Sequence, residues 1–179
     1  FSADRPDPSE SHRAVAYLLD GEQRGLPERY KCRIREPWYR VPFIRPGRLM
    51  MSKRSHHYPK VIINDAGVVT TDTIYRGSTI GSFAGREEDL AAAFHNSLTL
   101  LTAEVEGRSF GGGVLELVPS EVSRLLVPLP MGFGVELERL DSVARSESAR
   151  GTGEALVHDT DQLLIKADIG FTTELVDRL

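Results

Sequence analysis

A basic and aromatic stretch at Tyr30–Pro42, with the sequence YKCRIREPWYRVP, carries the side chains of this chain that are best suited to binding chemistry. In its first half, cations alternate with apolar residues, and the cations are Lys31, Arg33 and Arg35. On a β-strand this alternation places the three cations on one face at intervals of about 7 Å. Such a row suits a polyphosphate backbone, but charged side chains also protect the exposed edge of a sheet. The pattern predicts a strand and leaves both roles open.

Two aromatic residues, Trp38 and Tyr39, follow the basic alternation, with Arg40 next to them. An exposed aromatic ring can stack on a nucleobase, whereas a large ring is equally suited to the core of a domain. Pro37 has no backbone N–H to donate to a sheet, so we expect a bend or an edge there. Stacking and burial of the two rings remain alternatives.

Positive charge is concentrated in one part of an otherwise acidic chain. The protein has 179 residues and a formal net charge of −4. Between Arg24 and Lys60, eleven cations are opposed only by Glu28 and Glu36, so this block carries about +9 and the remainder about −13. Attraction of an anionic polymer depends on the field within about 8 Å at physiological salt and not on the total charge. One basic face on an acidic protein is compatible with reversible contact to DNA.

Cysteine and histidine usage argues against a disulfide framework and against a metal centre. Cys32 is the only cysteine, so no internal disulfide can form and a cytoplasmic location is expected. His56 and His57 are adjacent in the polar tract Ser52–Lys60, and no third ligand lies at a usual spacing from them. We therefore expect an exposed loop whose polar side chains face phosphates or base edges.

Hydrophobic periodicity predicts an α+β domain, in which a small mixed or antiparallel sheet packs on a long helix and a helical C-terminal part follows. The expected helices are Ser11–Gly25, Glu87–Glu106, a short one from Pro119, Val135–Arg145 and Glu154–Lys166. The expected strands are Lys31–Arg35, Val61–Asn64 and Val68–Tyr75 as a hairpin, and Val114–Val118. Phe43, Ile44, Leu49 and Met50 are expected to be buried.

Between the long helix and the last strand lies the segment Arg108–Gly113, with the sequence RSFGGG. Consecutive glycines permit positive φ angles and close approach of the backbone to another group. Neither a P-loop nor a dinucleotide fingerprint is present, because no Gly-Lys-Ser/Thr follows and no helix opens next. A tight packing turn is one interpretation of this segment.

Two segments, KCRIREPWY at Lys31–Tyr39 and EGRSFGGGVLEL at Glu106–Leu117, together resemble the C-terminal part of bacterial N6-adenine DNA methyltransferases of the Eco57I and TaqI type. The resemblance covers about residues 10–130. It implies that residues 1–130 are a target-recognition domain for double-stranded DNA, on which residues 131–179 pack as a helical extension. It also implies an N-terminal methyltransferase domain in the same chain, with S-adenosylmethionine bound there and no cofactor in this part.

The resemblance makes a DNA-facing loop led by Arg108 the alternative to a packing turn. The expected DNA contacts are the cations and aromatic rings of the basic block together with this loop: Lys31, Arg33, Arg35, Trp38, Tyr39, Arg40, Arg48, Lys53, Arg54 and Arg108. Arginine in particular can make bidentate contacts to guanine.

No catalytic or metal-binding residue is expected in this chain. It has neither a glycine-rich cofactor loop nor an Asn-Pro-Pro-Tyr type motif to hold an extruded adenine. The chain begins with Phe1, and we expect a piece of a longer soluble enzyme of a restriction-modification system, with or without a fused endonuclease. The main alternative is an interaction domain whose basic strand docks an acidic partner or the catalytic domain, and a further one is an RNA-binding module with exposed aromatic rings on a sheet face.

Overall fold

The computed structural model describes residues 11–40, 44–147 and 153–179. The chain divides into two compact units, Phe1–Ile44 and Arg45–Leu179. Helices and two small antiparallel sheets form an α+β fold, which confirms the predicted class. The predicted boundary after residue 130 stays a prediction. Within the described ranges, no helix has both the length and the apolar composition that crossing a membrane requires.

The first unit is helical in its described part. Helix α1, His12–Gln23, is capped by Ser11, whose side-chain oxygen accepts a hydrogen bond from the Ala14 N–H at 3.4 Å. Serine at this position satisfies an N–H group that the first helical turn leaves unpaired. The helix predicted from Ser11 is therefore confirmed. A 3₁₀ turn at Leu26–Glu28 then leads to the short helix α2, Tyr30–Arg33.

The basic alternation is helical, so the strand predicted at Lys31–Arg35 is wrong. The backbone N–H groups of Cys32 and Arg33 both donate to the carbonyl of Arg29, at 2.8 and 2.9 Å. A period of two has meaning only where a neighbouring strand pairs with the segment, and lysine and arginine are good helix formers. The cations of this segment therefore do not form a row at strand spacing.

The second unit contains both sheets and the remaining helices. The strands are β1 (Leu49–Ser52), β2 (Arg54–Ser55), β3 (Val61–Ile63), β4 (Ile74–Gly77), β5 (Arg108–Phe110) and β6 (Val114–Glu116). The helices are α3 (Glu87–Ala93), α4 (Ser97–Glu106), α5 (Pro119–Val122), α6 (Leu137–Glu147), α7 (Glu154–Lys166) and α8 (Thr173–Val176), with 3₁₀ turns at Gly81–Phe83 and Phe133–Glu136.

In the first sheet the strand order is β3-β1-β4, and both outer strands pair with β1 in antiparallel register. Met51 of β1 lies opposite Val61 on one side and Tyr75 on the other. The hairpin predicted from Val61–Asn64 and Val68–Tyr75 is wrong. Residues 68–73 are not in a strand, and β3 and β4 flank β1 and do not pair with each other. The sequence of β1, LMMS, does not predict a strand. Its buried and half-buried side chains alternate, but three consecutive residues are apolar, so the alternation is not visible in the residue types.

Burial next to β1 follows the pleat of that strand. Leu49 is buried and Met50 is half-buried, as the strand alternation requires. Ile44 was expected to be buried, but 43% of it is exposed, because the paired part of the chain begins only at Leu49. Phe43 lies outside the described residues, as do Val41 and Pro42 of the basic stretch.

The second sheet has the order β2-β6-β5, also antiparallel. Leu115 of β6 and the following Leu117 are buried in the hydrophobic core. The strand predicted at Val114–Val118 is thus confirmed at its first three residues. Because side chains alternate along a strand, Glu116 points to the face opposite the two leucines.

The long helix predicted at Glu87–Glu106 is wrong as one element, because it is interrupted at Phe94–Asn96 and forms α3 and α4. Asn96 has extended backbone angles, and its side-chain oxygen accepts a hydrogen bond from the Thr99 N–H at 2.9 Å. Its side-chain amide donates to the Ala93 carbonyl at 2.6 Å. One fully buried side chain therefore ends α3 and begins α4.

Helices α6 and α7 pack on α3 through a cluster of buried apolar residues: Ala92, Ala93, Phe133, Leu140, Leu156, Leu164 and Phe171. Helix α7 has the bounds predicted from the sequence. Helix α6 begins two residues later than predicted, because a 3₁₀ turn precedes it. The helical C-terminal part is confirmed.

Candidate nucleic-acid interface

The residues predicted to contact DNA divide between the two units. Six lie in the first unit: Lys31, Arg33, Arg35, Trp38, Tyr39 and Arg40. Four lie in the second: Arg48, Lys53, Arg54 and Arg108. The two groups differ in how their charges are balanced.

Cations of the first unit are largely uncompensated. Lys31 and Arg33 are exposed on α2, and Arg40 is exposed in the loop that follows. The half-buried Arg35 donates from Nη1 to the Arg40 carbonyl at 3.4 Å. Within the described residues, no salt bridge connects any of these four side chains to a carboxylate. Their positive charge is therefore available to a ligand from outside.

Trp38 packs inside the first unit. A Cβ atom added to Gly21 of α1 would lie 2.7 Å from Cη2 of Trp38, so the indole is in direct contact with this glycine. Tyr39 meets the indole edge to face, with ring centroids 5.8 Å apart. Both aromatic residues are half-buried. This packing accounts for Trp38 without a ligand, and the stacking of either ring on a base stays a prediction.

Arg48 is held by two carboxylates. Its guanidinium donates to Asp65 at 2.6 Å and to Glu88 at 3.1 Å. The hydrogen bond to Asp65, reinforced by Glu88, raises the pKa of Arg48 above its ordinary value. Arg48 therefore fastens the turn after β3 to the start of α3, and little of its charge is left for a phosphate.

The second sheet brings together the other predicted cations around a buried carboxylate. In register, Arg54 lies opposite Glu116 on one side and Arg108 lies opposite it on the other. Only 6% of Glu116 is exposed. Lys53 Nζ lies 3.0 Å from its Oε1, and Arg54 Nη2 donates to both carboxylate oxygens at 3.3 Å. The interaction with Lys53 contributes most to lowering the pKa of Glu116, and the hydrogen bonds from Arg54 lower it further.

A second buried carboxylate, Glu121 of α5, holds Arg108. Arg108 Nε donates to Glu121 Oε1 at 2.7 Å, and the other oxygen accepts from the Val118 N–H at 2.7 Å. The hydrogen bond from the Val118 N–H contributes most to lowering the pKa of Glu121, and the bond from Arg108 lowers it further. The side chain of Arg108 is nevertheless 61% exposed, and that of Arg54 is 63% exposed. Both guanidinium groups thus present a fixed, partly balanced charge to solvent.

Sequence reasoning missed the two carboxylates that organise this site, although both leave a signal. Glu116 stands between Leu115 and Leu117, and in a strand that pattern places the carboxylate on the outer face of the sheet. Glu121 is the third residue of a helix that begins with proline, where a glutamate reaches back to the preceding backbone. Together, the two signals predict a sheet face on which carboxylates balance the charge of the cations.

No group of three or more side chains that could hold a metal ion is found in the described ranges. His56 and His57 are exposed in the loop after β2.

The comparison with protein families identifies the family of this chain. The model for type II methyltransferase M.Eco57I, C-terminal domain, matches residues 1–165. The chain belongs to this family. The resemblance that the sequence suggested over about residues 10–130 is thereby confirmed and extends into the last turn of α7. A comparison with curated proteins gave no match, and a comparison with solved structures gave none.

Proposed function

We propose that this M.Eco57I-type C-terminal domain recognises the DNA target of a type II restriction-modification N6-adenine methyltransferase. It holds duplex DNA so that a catalytic domain, which carries S-adenosylmethionine, can extrude and methylate the adenine. Family membership carries the proposal, because the matched family is the C-terminal domain of a type II methyltransferase. The available cations of the first unit supply the physical means.

Binding to a duplex by the first unit follows from counterion release. Each cation that neutralises a phosphate releases condensed counterions, so affinity falls as salt rises. Lys31, Arg33, Arg35 and Arg40 qualify because no carboxylate in the described part of the chain neutralises them. Contacts of this type position the domain on the duplex but carry no sequence information.

Sequence discrimination is the role we assign to the guanidinium groups of the second sheet. Arg54 and Arg108 are anchored by Glu116 and Glu121, so their orientation is fixed before any ligand arrives. A bidentate contact from a fixed arginine to guanine discriminates by about 1–3 kcal/mol. Because their charge is partly balanced, they contribute less to general attraction than the cations of the first unit.

The proposal is tested by charge reversal in the first unit. We expect Arg33→Glu with Arg35→Glu to lower the affinity of the 179-residue chain for a labelled duplex at least 10-fold, measured by fluorescence anisotropy at about 50 mM salt. The matched control is Arg145→Glu with Arg178→Glu, which changes the net charge equally at two exposed positions elsewhere. Equal losses in both variants would show that only net charge matters.

The protein-interaction alternative rests on a specific observation: cations of the second unit already pair with carboxylates of the same unit. A similar acidic surface on a catalytic domain would fit the cations of the first unit in the same manner. Under that alternative, the Arg33 and Arg35 reversal leaves duplex affinity unchanged and weakens association with a separately produced catalytic domain.

A further inference from the structure

The hairpin of β5 and β6 ends in a turn that stands clear of the rest of the second unit. Gly112 and Gly113 have φ angles of +81° and +74°, a conformation that side chains other than glycine rarely adopt. A Cβ atom added at Gly111, Gly112 or Gly113 would meet no atom within 4 Å. Each of the three positions therefore has room for a side chain, so close packing does not account for glycine there. The packing interpretation of the glycine-rich segment does not hold for these three residues.

Phe110 lies at the base of this turn on the outer face of the sheet. It is the register partner of Val114, and it shares its face with Arg108 two residues earlier. Phe110 is 49% exposed, whereas Leu115 on the inner face is buried. A half-exposed phenylalanine on a charged surface is not explained by the core.

Arg54 reaches toward the phenyl ring from the opposite edge of the sheet. Its guanidinium carbon lies 5.9 Å from the ring centroid, within the range of a cation–π interaction. The same guanidinium is fixed on its other side by Glu116. An aromatic ring and an oriented guanidinium plane thus stand next to each other on one face.

A surface cavity of about 470 Å³ is bounded by these side chains, and its lining residues are Arg54, Ser55, His56, Phe110 and Val114. Its volume falls in the range of small-ligand sites, about 300–1,000 Å³. The lining combines one aromatic ring, one guanidinium, one imidazole and one hydroxyl group. These are a stacking surface and hydrogen-bond donors and acceptors, the combination that recognises a heteroaromatic ring.

We propose that this cavity binds one unpaired nucleobase of the DNA, which stacks on Phe110 within reach of the Arg54 guanidinium. The proposal rests on the proposed DNA-recognition function and adds an unpaired base to duplex DNA as a ligand of this domain. A base inside a duplex is already stacked on its neighbours, so only a base out of the stack can use the ring. The positive charges around the cavity favour a nucleotide over an apolar peptide side chain.

The test compares three labelled probes of one sequence: a fully paired duplex, the same duplex with one bulged adenine, and the same bulge with an abasic residue. We expect the 179-residue chain to bind the bulged adenine about 5- to 150-fold more tightly than the abasic bulge, the range that base–aromatic stacking provides. Phe110→Ala should remove this preference and leave affinity for the paired duplex unchanged. Phe110→Trp should keep the preference, because its ring also stacks.

Val135→Ala is the matched control, since Val135 is an 83% exposed apolar residue away from the hairpin. It should leave all three affinities unchanged. Equal affinity for the adenine and abasic bulges, with salt-dependent duplex binding retained, would overturn the cavity assignment and leave the proposed function intact. Loss of all three affinities in Phe110→Ala, with unchanged thermal unfolding, would also overturn it. Absence of binding to every probe would overturn both proposals.

Discussion

Glu116 and Glu121 determine how much positive charge the second sheet presents to its surroundings. Both carboxylates are buried and accept hydrogen bonds from cations. Lys53 is the main cause of the lowered pKa of Glu116, whereas the Val118 N–H and then Arg108 lower the pKa of Glu121. A carboxylate held this way stays ionised and fixes the arginine geometry. Under the proposed function, the same residues limit the attraction of DNA while they orient Arg54 and Arg108 for contacts with bases.

Glu116→Gln should raise duplex affinity, although it removes native hydrogen bonds. Lys53 and Arg54 lose their shared counter-charge and become available to phosphates. In a salt-series titration, we expect the slope of log K against log salt to steepen by about 0.9 for each new phosphate contact. Thermal unfolding should occur at lower temperature.

Glu104→Gln is the matched control for that substitution, because Glu104 is exposed on α4 and far in sequence from Lys53 and Arg54. It changes the net charge equally and should leave the slope unchanged. An unchanged slope in Glu116→Gln would mean that neither Lys53 nor Arg54 contacts a phosphate.

Three buried polar or ionisable residues define the junction between α3 and α4. Asn96 caps α4 and bonds to the end of α3, and Asp161 of α7 accepts hydrogen bonds from both the backbone and the side chain of Ser97. His95 packs edge to face against Tyr58 and Phe94. The junction therefore ties β-sheet loops, α3, α4 and α7 into one core.

Asn96→Ala should destabilise the chain by about 2 kcal/mol or more, because it removes a helix cap and leaves a buried carbonyl unpaired. Chemical denaturation provides the measurement. Thr172→Ala removes the exposed cap of α8, where the Thr172 side chain accepts from the Leu175 N–H at 3.3 Å. We expect that control to cost less than about 1 kcal/mol. Equal losses in the two variants would contradict the structural role of Asn96.

His95 should make stability depend on pH between about 6.5 and 4. Burial, with a smaller contribution from Lys60, lowers the pKa of His95 from 6.5 to about 4. The folded state thus favours neutral imidazole, and stability is complete above pH 6.5 and is lost as pH falls toward 4. The loss amounts to at most about 3 kcal/mol. Denaturant titrations across this range should show it.

His95→Phe keeps an aromatic ring at this position and has no group to protonate. Its free energy of unfolding should be nearly constant between pH 6.5 and 4.5, where the carboxylates with lowered pKa values remain ionised. The same slope in the variant and the parent chain would assign the pH dependence to another group.

The sequence predicted those helices and strands whose caps or hydrophobic spacing lie within the element itself. Helix α1 has its serine cap, α7 has its apolar spacing, and β6 has its alternation, and all three were predicted. The break at Asn96 was missed because an apolar stripe continues across it, although asparagine is a preferred residue at a helix N-cap. The pairing of β3 and β4 with β1 depends on distant partners, which a local pattern does not contain.

For the candidate interface, the positions of the cations were predictable from the sequence, but the carboxylates that pair with them were not. The cation-rich block and the Arg108 loop are visible in the sequence, but the salt bridges of Arg108 to Glu121 and of Arg54 to Glu116 join residues far apart or across strands. The role of Phe110 depends on which face of β5 it occupies. That face follows from the register with β6, which the glycine-rich turn alone does not specify.

Over the whole chain, the net charge of −4 conceals a separation of charge types. In the described part of the first unit, Arg24 pairs with Asp20, but Lys31, Arg33, Arg35 and Arg40 form no salt bridge. The cations of the second unit are mostly paired. Under the proposed function, the unpaired cations attract DNA and the paired arginines are oriented for discrimination. The affinity of the chain for DNA should therefore be strongly salt-dependent despite the acidic total.

The most direct test of DNA recognition is the salt dependence of duplex binding, measured by fluorescence anisotropy from about 50 to 200 mM salt. The account predicts that log K falls linearly with log salt, with a slope of about −0.9 for each phosphate contacted. Arg33→Glu with Arg35→Glu should reduce that slope by about 1.8, which corresponds to two lost contacts. No binding at about 50 mM salt, or a slope that the double reversal leaves unchanged, would contradict the account.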